Sequence, residues 1–493
     1  VVLGIMRNLT DIFPIILNIV RFLLGAAIYG DSDTPPPLPI LPIPNSRQLK
    51  WQQESISIFF HFGPNTFTDS EWGSGRADPS VFNPDRLNAS QWIHVIKDAG
   101  FNKVIITAKH HDGFCLWPSE YTDYTVKSSR WRDGKGDVLK ELAQAARESG
   151  VALGVYLSPW DRHDPRYGDT KQYNEFYLGQ MRELLSDYGE IEEVFLDGAK
   201  GEGEKDMEYY FDTWFALIHQ LQPSAAIFSD IGPDSRWIGD EQGVAASTCW
   251  SLFNSSDAHI GDTDPQYSRT GDRYGHDWVP PECDVSIRPG WFWHASESPK
   301  SASELLEVYY KSAGRNCKLL LNVPPNSSGL VSEADAEALK RFSRLRETVF
   351  SRNLAAGCVV RAGSVRGGAG NPRFAPGNVV EEGIGTYWAP EEDGGWSLEL
   401  PFSGMVAVNV VKVQEPIQMG QRIIRFRIEV DGGVGIWTRV ASGTTVGFQR
   451  LVRFPTVEAL RLRFVVEDAR AVPLVAFLGL YFDPFTVFNS YHL

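Results

Sequence analysis

The stretch of sequence that decides the fold is Val104-Ile-Ile-Thr-Ala-Lys-His-His-Asp-Gly113. It begins as a nearly continuous apolar run and ends in charged and imidazole side chains. Such a run is typical of a strand that is buried on both faces of a parallel sheet. In barrel proteins, residues that directly follow a strand form the edge where active sites are built. The stretch therefore predicts a buried strand with a chemically active end.

Five further apolar runs repeat this pattern along the chain: Ile56–Phe60, Leu153–Leu157, Val194–Leu196, Ala225–Phe228 and Leu319–Val323. Segments with helical spacing lie between or after them: Asp137–Gly150, Gln172–Gly189, Tyr209–Leu221, Ser303–Gly314 and Glu333–Phe350. Alternating strands and helices over roughly 300 residues indicate an α/β fold, either a (β/α)8 TIM barrel or a doubly wound sheet. Because no GxGxxG follows the first strand, the dinucleotide-binding form of the doubly wound sheet lacks its main support.

The regions on either side of this pattern have different compositions. After residue 350 the chain becomes rich in Gly, Val and Arg, and its short strand-like runs predict a β-sandwich. These runs are Ser397–Leu400, Val406–Val413, Arg422–Val430, Trp437–Val440 and Leu460–Val466. Before the barrel, residues 34–44 are rich in proline and predict a stiff, extended lead-in. We therefore expect a signal at 1–30, a lead-in at 31–50, a barrel at 51–350 and a sandwich at 351–493.

The N-terminal segment predicts a secretory signal peptide. The apolar stretch 13–27 follows Arg7 and ends among small residues, as in a cleaved signal peptide. Asn18 and Arg21 interrupt the stretch, which argues against the alternative of a membrane anchor. Sequons at Asn8, Asn88, Asn254 and Asn326 are compatible with secretion, and the last three are candidate glycosylation sites.

Charge and cysteine content narrow the range of functions. The 493 residues carry a formal net charge of −15, which argues against nucleic acid or an anionic membrane as a partner. The five cysteines form no CxxC pair and are odd in number, so the chain is not a disulfide framework and fits one bridge or none.

Polar and aromatic residues follow all six apolar runs, and a barrel would collect them at one rim. They are His61-Phe-Gly63, Lys109-His-His-Asp-Gly113, Ser158-Pro-Trp-Asp161, Asp197-Gly-Ala-Lys200, Ser229-Asp-Ile-Gly232 and Asn322-Val-Pro-Pro-Asn326. Taken alone, Asp197-Gly198 is a common turn dipeptide. Within the cluster, these residue types favour a carboxylate pair that cleaves a glycosidic bond.

Asp197 is the first candidate for that pair, because it closes an apolar run. Glu241, in a glycine-flanked loop, is the second, and Glu71, Asp240 and Glu282 compete with it. A metal-dependent hydrolase is the alternative, since His61, His110, His111 and Asp161 are ligand types. It is disfavoured because HExxH is absent and because adjacent histidines on a regular strand would point to opposite sides.

The barrel region resembles glycoside hydrolase family 29, the retaining α-L-fucosidases, and most closely its secreted plant members. The resemblance rests on His61-Phe-Gly-Pro-Asn65, Glu71-Trp-Gly73, Lys109-His-His-Asp-Gly-Phe114, Tyr156-Leu-Ser-Pro-Trp-Asp161, Leu196-Asp-Gly-Ala199, Gly239-Asp-Glu-Gln-Gly243, Pro289-Gly-Trp-Phe-Trp293 and Leu320-Leu-Asn-Val-Pro-Pro325. The region after Ser351, with Thr386-Tyr-Trp-Ala-Pro390, is similar to the discoidin-like sandwiches that follow this barrel.

The resemblance implies that Asp197 is the nucleophile and Glu241 the general acid/base, with no cofactor or metal. Residues implied to bind substrate are His61, Glu71, Trp72, His110, His111, Tyr156, Trp160, Arg236, Trp291 and Trp293. One position departs from the family pattern: Phe195 stands where most members carry Trp, so an indole donor is missing there.

The resemblance also implies a substrate and a location. The plant-like branch prefers fucose α-1,3/4-linked to N-acetylglucosamine in Lewis-type glycans, on oligosaccharides or glycoproteins. The expected location is extracellular, in the apoplast or cell wall of a plant, without stable membrane insertion once the signal is removed. A non-catalytic glycan-binding protein is the alternative outside the enzymes.

Overall fold

Eight parallel strands close into a barrel in the computed structural model, which describes residues 34–257 and 260–486. The strands before residue 323 are β1 Ile56–Phe60, β2 Lys103–Lys109, β3 Ala152–Leu157, β4 Glu193–Phe195, β5 Ala226–Ser229, β6 Ser235–Trp237, β7 Leu252–Phe253, β8 Asp277–Trp278, β9 Pro281–Ser286 and β10 Lys318–Asn322. The order around the barrel is β1, β10, β9, β6, β5, β4, β3, β2, whereas β7 and β8 form a separate antiparallel ribbon. The predicted barrel is thus confirmed.

The helices of the barrel region are Ser46–Gln53, Pro64–Thr68, Ala89–Asp98, Val138–Ser149, Thr170–Asp187, Phe211–Leu221, Pro265–Thr270, Ala302–Lys311 and Glu333–Phe350. The helix Val138–Ser149 shows how the sequence sets their limits. The Asp137 side chain accepts a hydrogen bond from the Lys140 amide at its start, and Gly150 ends it with φ 64°. Its apolar face is buried in the main core. No helix in 34–257 or 260–486 combines the length and apolar character needed to cross a membrane.

The barrel interior contains two kinds of layer. A middle layer is apolar and aromatic, and includes Phe59, Ile105, Tyr156, Phe195 and Phe228. Nearer the amino-terminal ends of the strands, Lys318 Nζ lies 3.2 Å from Glu193 Oε2, and Lys103 Nζ lies 3.5 Å from the same oxygen. These opposite charges compensate one another and close the floor of the barrel. Polar side chains that could meet a ligand are therefore expected at the opposite rim, at the carboxyl ends of the strands.

The C-terminal domain is built on a six-stranded antiparallel sheet. Its strands are β11 Arg361–Ala362, β12 Ser397–Gln414, β13 Ile423–Asp431, β14 Thr438–Gly443, β15 Arg450–Ala469 and β16 Phe477–Tyr481. The predicted runs Ser397–Leu400 and Val406–Val413 belong to one strand, β12, whose pairing with β15 shifts register twice. Such irregularities bend long strands. The C-terminal domain has an apolar core of its own, separate from that of the barrel.

The proline-rich lead-in is anchored on the C-terminal domain. Ile40 donates its amide to the Met419 carbonyl at 3.1 Å. The buried Arg422 donates to the Leu38 carbonyl at 2.6 Å, and Arg366 donates to the Pro35 carbonyl at 2.9 Å. The lead-in therefore joins the start of the barrel to the far end of the chain.

One disulfide joins Cys283 on β9 to Cys317, which directly precedes β10. Cys115 and Cys249 are buried free thiols, and Cys358 is a half-buried one. Of the two possibilities left open by the cysteine count, the structure contains one bridge.

Candidate active site

Asp197 lies just beyond the carboxyl end of β4, at the rim of the barrel. Its Oδ2 accepts a hydrogen bond from the Tyr156 hydroxyl at 3.0 Å, and its Oδ1 accepts one from the Ala199 amide at 2.7 Å. His111 Nε2 lies 3.6 Å from Oδ2. These contacts fix the carboxylate while 28% of the side chain remains accessible. The arrangement suits a group that must attack a bound ligand from a fixed direction.

Gly198 is not merely a turn residue. A Cβ at this position would lie 2.3 Å from Asp230 Oδ2, so the close approach of a second carboxyl requires glycine. Asp230 is 9% exposed and accepts a hydrogen bond from the Gly261 amide. Burial raises the pKa of Asp230 to about 6, and the charge of Asp197 adds to the rise. The turn therefore allows the Asp230 carboxyl to pack against Gly198, the residue that directly follows Asp197 at the end of β4.

Both His110 and His111 reach the site, because β2 does not stay regular as far as these residues, and only on a regular strand would adjacent histidines diverge. The pairing of β2 with β3 shifts register between Thr107 and Lys109, and the strand ends at Lys109. The regular alternation of side chains is thereby lost. The two imidazole centroids are 4.2 Å apart, and the His110 ring stacks on Tyr156.

His61 is held as a neutral acceptor. Asn322 donates its amide hydrogens to Ser286 Oγ and to the Trp291 carbonyl, so Asn322 Oδ1 must accept from His61 Nδ1, 2.9 Å away. Burial lowers the pKa of His61 to about 3. Nε2, which makes no hydrogen bond to any described residue, is left to accept a ligand hydroxyl.

His111 is also held as a neutral hydrogen-bond acceptor. Ser158 donates its hydroxyl hydrogen to the Trp160 carbonyl at 2.6 Å, so its oxygen accepts from His111 Nδ1 at 2.7 Å. Burial lowers the pKa of His111, and Nε2 is therefore a neutral acceptor beside Asp197. His110 Nδ1 is buried and finds no partner within the described ranges. A site with this many acceptors fits a ligand rich in hydroxyl donors, such as a sugar.

Trp72 and Trp160 form an aromatic wall beside His111. The Trp72 ring meets Trp160 edge to face at 5.3 Å, and the Trp160 ring lies 4.7 Å from that of His111. Trp160 is buried, whereas 47% of Trp72 is exposed at the rim. The wall thus runs from the interior of the site to solvent and offers an apolar face to a sugar ring.

Glu241 lies in the exposed loop after β6 and accepts a hydrogen bond from the Trp291 indole at 3.2 Å. Partial burial raises the pKa of Glu241 although the side chain reaches solvent. The bond from Trp291 opposes the rise, and the charge of Asp197 adds to it. A carboxyl whose pKa is raised next to a second carboxylate has the character of a general acid.

The three competing carboxyls have other partners. Glu71 accepts from the Trp291 amide at 2.7 Å and bonds to His294 at 2.5 Å. Asp240 accepts from the Gln242 amide and pairs with Arg269, which shapes the loop that carries Glu241. Glu282 is fully buried on β9 opposite Lys318, at the floor of the barrel. Of these carboxyls, only Glu71 lies in the rim cluster.

Two residues implied to bind substrate lie apart from the cluster. The guanidinium of Arg236 is fully buried and donates to the backbone carbonyls of Ser268, Val279 and Trp250. It therefore pins the segment around β7 and β8 to the barrel. Trp293 packs against Arg288, with its centroid 5.6 Å from the guanidinium carbon. No contact in the described residues brings either side chain to Asp197 or Glu241.

Asp284 and Trp237 belong to the site and escape the sequence patterns. Asp284 faces the barrel interior on β9, is 8% exposed, and accepts from the Trp237 indole at 3.0 Å. Burial holds the pKa of Asp284 well above its usual range, and the charges of Glu241 and Asp197 add to the rise. The only signal in the sequence is the alternation of Glu282, Asp284 and Ser286, which has the period of a strand.

The three sequons in the described region differ in their surroundings. Asn88 is exposed and caps the helix Ala89–Asp98 through Oδ1, with its side-chain nitrogen left over. Asn254 donates its side-chain nitrogen to Asp272 at 3.0 Å. Asn326 accepts three hydrogen bonds within its own turn. Asn8 lies outside the described residues.

The fold and the rim together define a class of protein. A closed parallel barrel whose rim carries carboxyls, neutral histidine acceptors and tryptophan faces is the construction of a glycoside hydrolase. Among residues 34–257 and 260–486, no group of three His, Cys, Asp or Glu side chains is placed to hold a metal ion.

Comparisons with known proteins narrow this class. A model of the family described as alpha-L-fucosidase matches residues 44–346. Alpha-L-fucosidase 1 of Arabidopsis thaliana is 64% identical over 455 residues, which cover 92% of this chain and 90% of that protein. The crystal structure of SpGH29 superposes with a TM-score of 0.87 at 41% identity, covering 90% of this chain and 99% of that chain. A glycoside hydrolase family 29 fucosidase of Ruminococcus gnavus, solved with fucose, gives a TM-score of 0.83 at 35% identity, covering 92% and 97%.

The chain belongs to the alpha-L-fucosidase family, glycoside hydrolase family 29. The resemblance drawn from the motifs is confirmed, and so is the expectation of an α-L-fucosidase. The C-terminal antiparallel domain behind the barrel also matches the solved members of the family.

Proposed function

We propose that this enzyme is a retaining exo-α-L-fucosidase in which Asp197 is the nucleophile and Glu241 the general acid/base. The observation that supports it best is the contrast between the two carboxyls. Asp197 accepts two hydrogen bonds from protein donors, whereas Glu241 accepts one and has a raised pKa. A retaining glycosidase requires this division between an ionised nucleophile and a protonated acid.

The proposed reaction has two displacements. Asp197 Oδ attacks the anomeric carbon, the bond from that carbon to the glycosidic oxygen breaks, and Glu241 gives its proton to the departing oxygen. Water then approaches from the side of Glu241, which takes one of its protons. The water oxygen bonds to the anomeric carbon, and Asp197 is released as a carboxylate. His61 and His111 would accept hydroxyl hydrogens of the fucose throughout.

We propose fucose α-1,3/4-linked to N-acetylglucosamine, in Lewis-type glycans, as the preferred substrate. Glu241 and Trp72 are exposed and Trp291 is half-buried, so the leaving-group side of the site is an open surface with aromatic faces. Such a surface can accommodate a branched sugar. The similarity to plant members at the quoted motifs supports the same preference.

The variant Glu241→Ala tests the assignment. General acid catalysis contributes roughly 10²–10⁴-fold, so hydrolysis of a branched Lewis-type oligosaccharide should fall by about that factor. An aryl fucoside with a good leaving group should still form the fucosyl-enzyme, which should accumulate. Added azide needs no general base, so it should speed turnover and yield an α-fucosyl azide with net retention.

The control is the wild-type enzyme on the same two substrates and on a linear α-1,2-fucoside, which should be the poorest of the three. A Glu241→Ala enzyme that loses both activities equally and ignores azide would contradict the role of Glu241. A β-fucosyl azide would contradict retention, and a preference for the linear fucoside would contradict the linkage.

We also propose that the enzyme is secreted. The apolar segment 13–27 lies outside the described residues, and its sequence supports a cleaved signal. The Cys283–Cys317 disulfide supports an oxidising compartment, where such bonds persist. The exposed sequon at Asn88 is compatible with passage through the secretory route.

A further inference from the structure

His294, at the rim of the barrel, is enclosed by two carboxylates. Its Nδ1 lies 2.6 Å from Asp69 Oδ1, and its Nε2 lies 2.5 Å from Glu71 Oε1. Carboxylate oxygens only accept hydrogen bonds, so the ring must donate from both nitrogens and is therefore an imidazolium. The His294 side chain is 10% exposed, whereas Asp69 lies in solvent at 82% exposure and Glu71 is 37% exposed.

Glu71 transmits this contact to the chain segment after β9. Its Oε2 accepts from the Trp291 amide at 2.7 Å, and its Oε1 accepts from the Phe292 amide at 3.3 Å. A Cβ on Gly290 would lie 2.5 Å from Glu71 Oε1 and 3.0 Å from the His294 ring. The backbone at Gly290 is thus shaped to admit the Glu71 carboxylate, which binds the amides of Trp291 and Phe292.

Trp291 carries the contact to Glu241. Its carbonyl accepts from Asn322 at 2.7 Å, so the residue is held at both its amide and its carbonyl. Its indole lies 5.0 Å from the His61 ring, centroid to centroid, and donates to Glu241 Oε2 at 3.2 Å. His294 is therefore connected to the proposed acid/base by hydrogen bonds to Glu71 and the Trp291 backbone, and from there by the Trp291 side chain.

We propose that His294 is a positioning residue for acid catalysis: it holds Glu71, which fixes Trp291, which in turn orients Glu241. This inference rests on the proposed role of Glu241. His294 does not touch Glu241 itself, and it acts only through the backbone and indole of Trp291. The family motif ends at Trp293, so nothing in that resemblance assigns a role to the next residue.

The charges around His294 agree with its role as a cation. Burial lowers the pKa of His294, but hydrogen bonds to Glu71 and Asp69 outweigh this effect and raise it overall. Glu297 adds negative charge from the same loop. Arg288 is the nearby cation, and its guanidinium is neutralised by Asp335 at 3.0 Å while it donates to the Glu297 carbonyl.

The variant His294→Ala tests the proposal through its dependence on the leaving group. A hydrogen bond to a charged group contributes roughly 1.5–3 kcal/mol, so the oligosaccharide kcat/KM should fall about 10-fold or more, and the aryl fucoside value much less. His294→Gln keeps one donor for Glu71 without the charge. It should recover most of the loss. Equal losses on both substrates would identify a purely structural residue and overturn the proposal.

A double-mutant cycle with Trp291→Phe tests the route. If His294 acts through the Trp291 indole, His294→Ala should add little to the loss on the oligosaccharide that Trp291→Phe already causes. Full additivity of the two losses would overturn the route. His294→Gln should melt as the wild type does, so a folding defect in the alanine variant would leave the cycle measurable with glutamine.

Glu241→Ala, measured on the same substrates, separates this inference from the proposed function. If leaving-group dependence appears in Glu241→Ala and is absent from His294→Ala, only the positioning role fails. If it is absent from both, the acid/base assignment fails as well.

Discussion

At the scale of single residues, the Trp291 indole decides how readily Glu241 gives up its proton. Its N–H stabilises the ionised carboxylate, and this opposes the rise in the pKa of Glu241 that burial and Asp197 cause. Removing the N–H should therefore raise this pKa further. In its proposed role as the acid, Glu241 must be protonated, so activity should be lost as the pH rises through the pKa of Glu241.

Trp291→Phe should accordingly move the alkaline limb of kcat/KM to higher pH, even though the rate on oligosaccharides falls. The measurement is a pH profile with a branched substrate. Trp293→Phe is the matched control, because the Trp293 indole nitrogen has no hydrogen-bond partner among the residues that the structure describes. An unchanged limb in Trp291→Phe, or the same shift in the control, would refute this account of Glu241.

At the scale of elements, the end of β2 is held by a buried ion pair. Lys109 Nζ lies 2.9 Å from Asp161 Oδ2, and the two side chains are 0% and 2% exposed. The pair joins the strand end that carries His110 and His111 to the loop after β3. Replacing Lys109 by Met should leave the Asp161 charge buried without its partner, at a cost of roughly 3–5 kcal/mol.

Denaturant unfolding measures this cost, and fucose binding should weaken with it because the histidines lose their support. Lys171→Met is the control: Lys171 pairs with Glu175 at 3.9 Å on an exposed helix face, and such a pair contributes little. A Lys109→Met enzyme as stable as the control would show that the pair is not needed to hold the strand end.

The sequence predicts six of the eight barrel strands, and the physical reason for the two exceptions is local. β1 is an apolar run interrupted only by Ser57, and the helix Glu333–Phe350 has a full amphipathic pattern, so both are predicted with their observed limits. β6 has three residues, too few for periodicity. β9 turns Glu282, Asp284 and Ser286 toward the interior, so it lacks the apolar character of a buried strand.

The sequence likewise predicts some residues of the site and not others. Asp197 follows from its strand, because residues that directly follow a barrel strand lie at the rim, whereas Tyr156 is implied only by the family resemblance. The orientation of His110 and His111 does not follow from their strand, since it depends on a register shift that leaves no mark in composition. The family resemblance implies that Arg236 binds substrate, yet its guanidinium donates its hydrogen bonds to backbone carbonyls of a distant segment.

At the scale of the whole molecule, the lead-in and the C-terminal domain are one packing unit. Arg422, 1% exposed, donates to the carbonyls of Leu38, Met419 and Val472 and thus joins three distant parts of the chain. The anchored contacts begin at Pro35, which follows the predicted signal by only a few residues. Cleavage near residue 30 would therefore leave the anchored segment intact.

This placement yields a prediction about secretion. Expressed from the full sequence in a eukaryotic secretory host, the enzyme should accumulate in the medium with its first residue between positions 25 and 34. The same preparation tests the glycosylation sites: Asn88 should carry a glycan, because its side chain is exposed and its nitrogen is not used in the helix cap. Asn254 should be mostly free of glycan in the folded enzyme, because its nitrogen donates to Asp272. N-terminal sequencing and glycopeptide mass spectrometry measure both, with Asn88→Gln as the control that removes one glycan. Enzyme found only in the membrane fraction with residues 13–27 attached would establish an anchor in place of a signal.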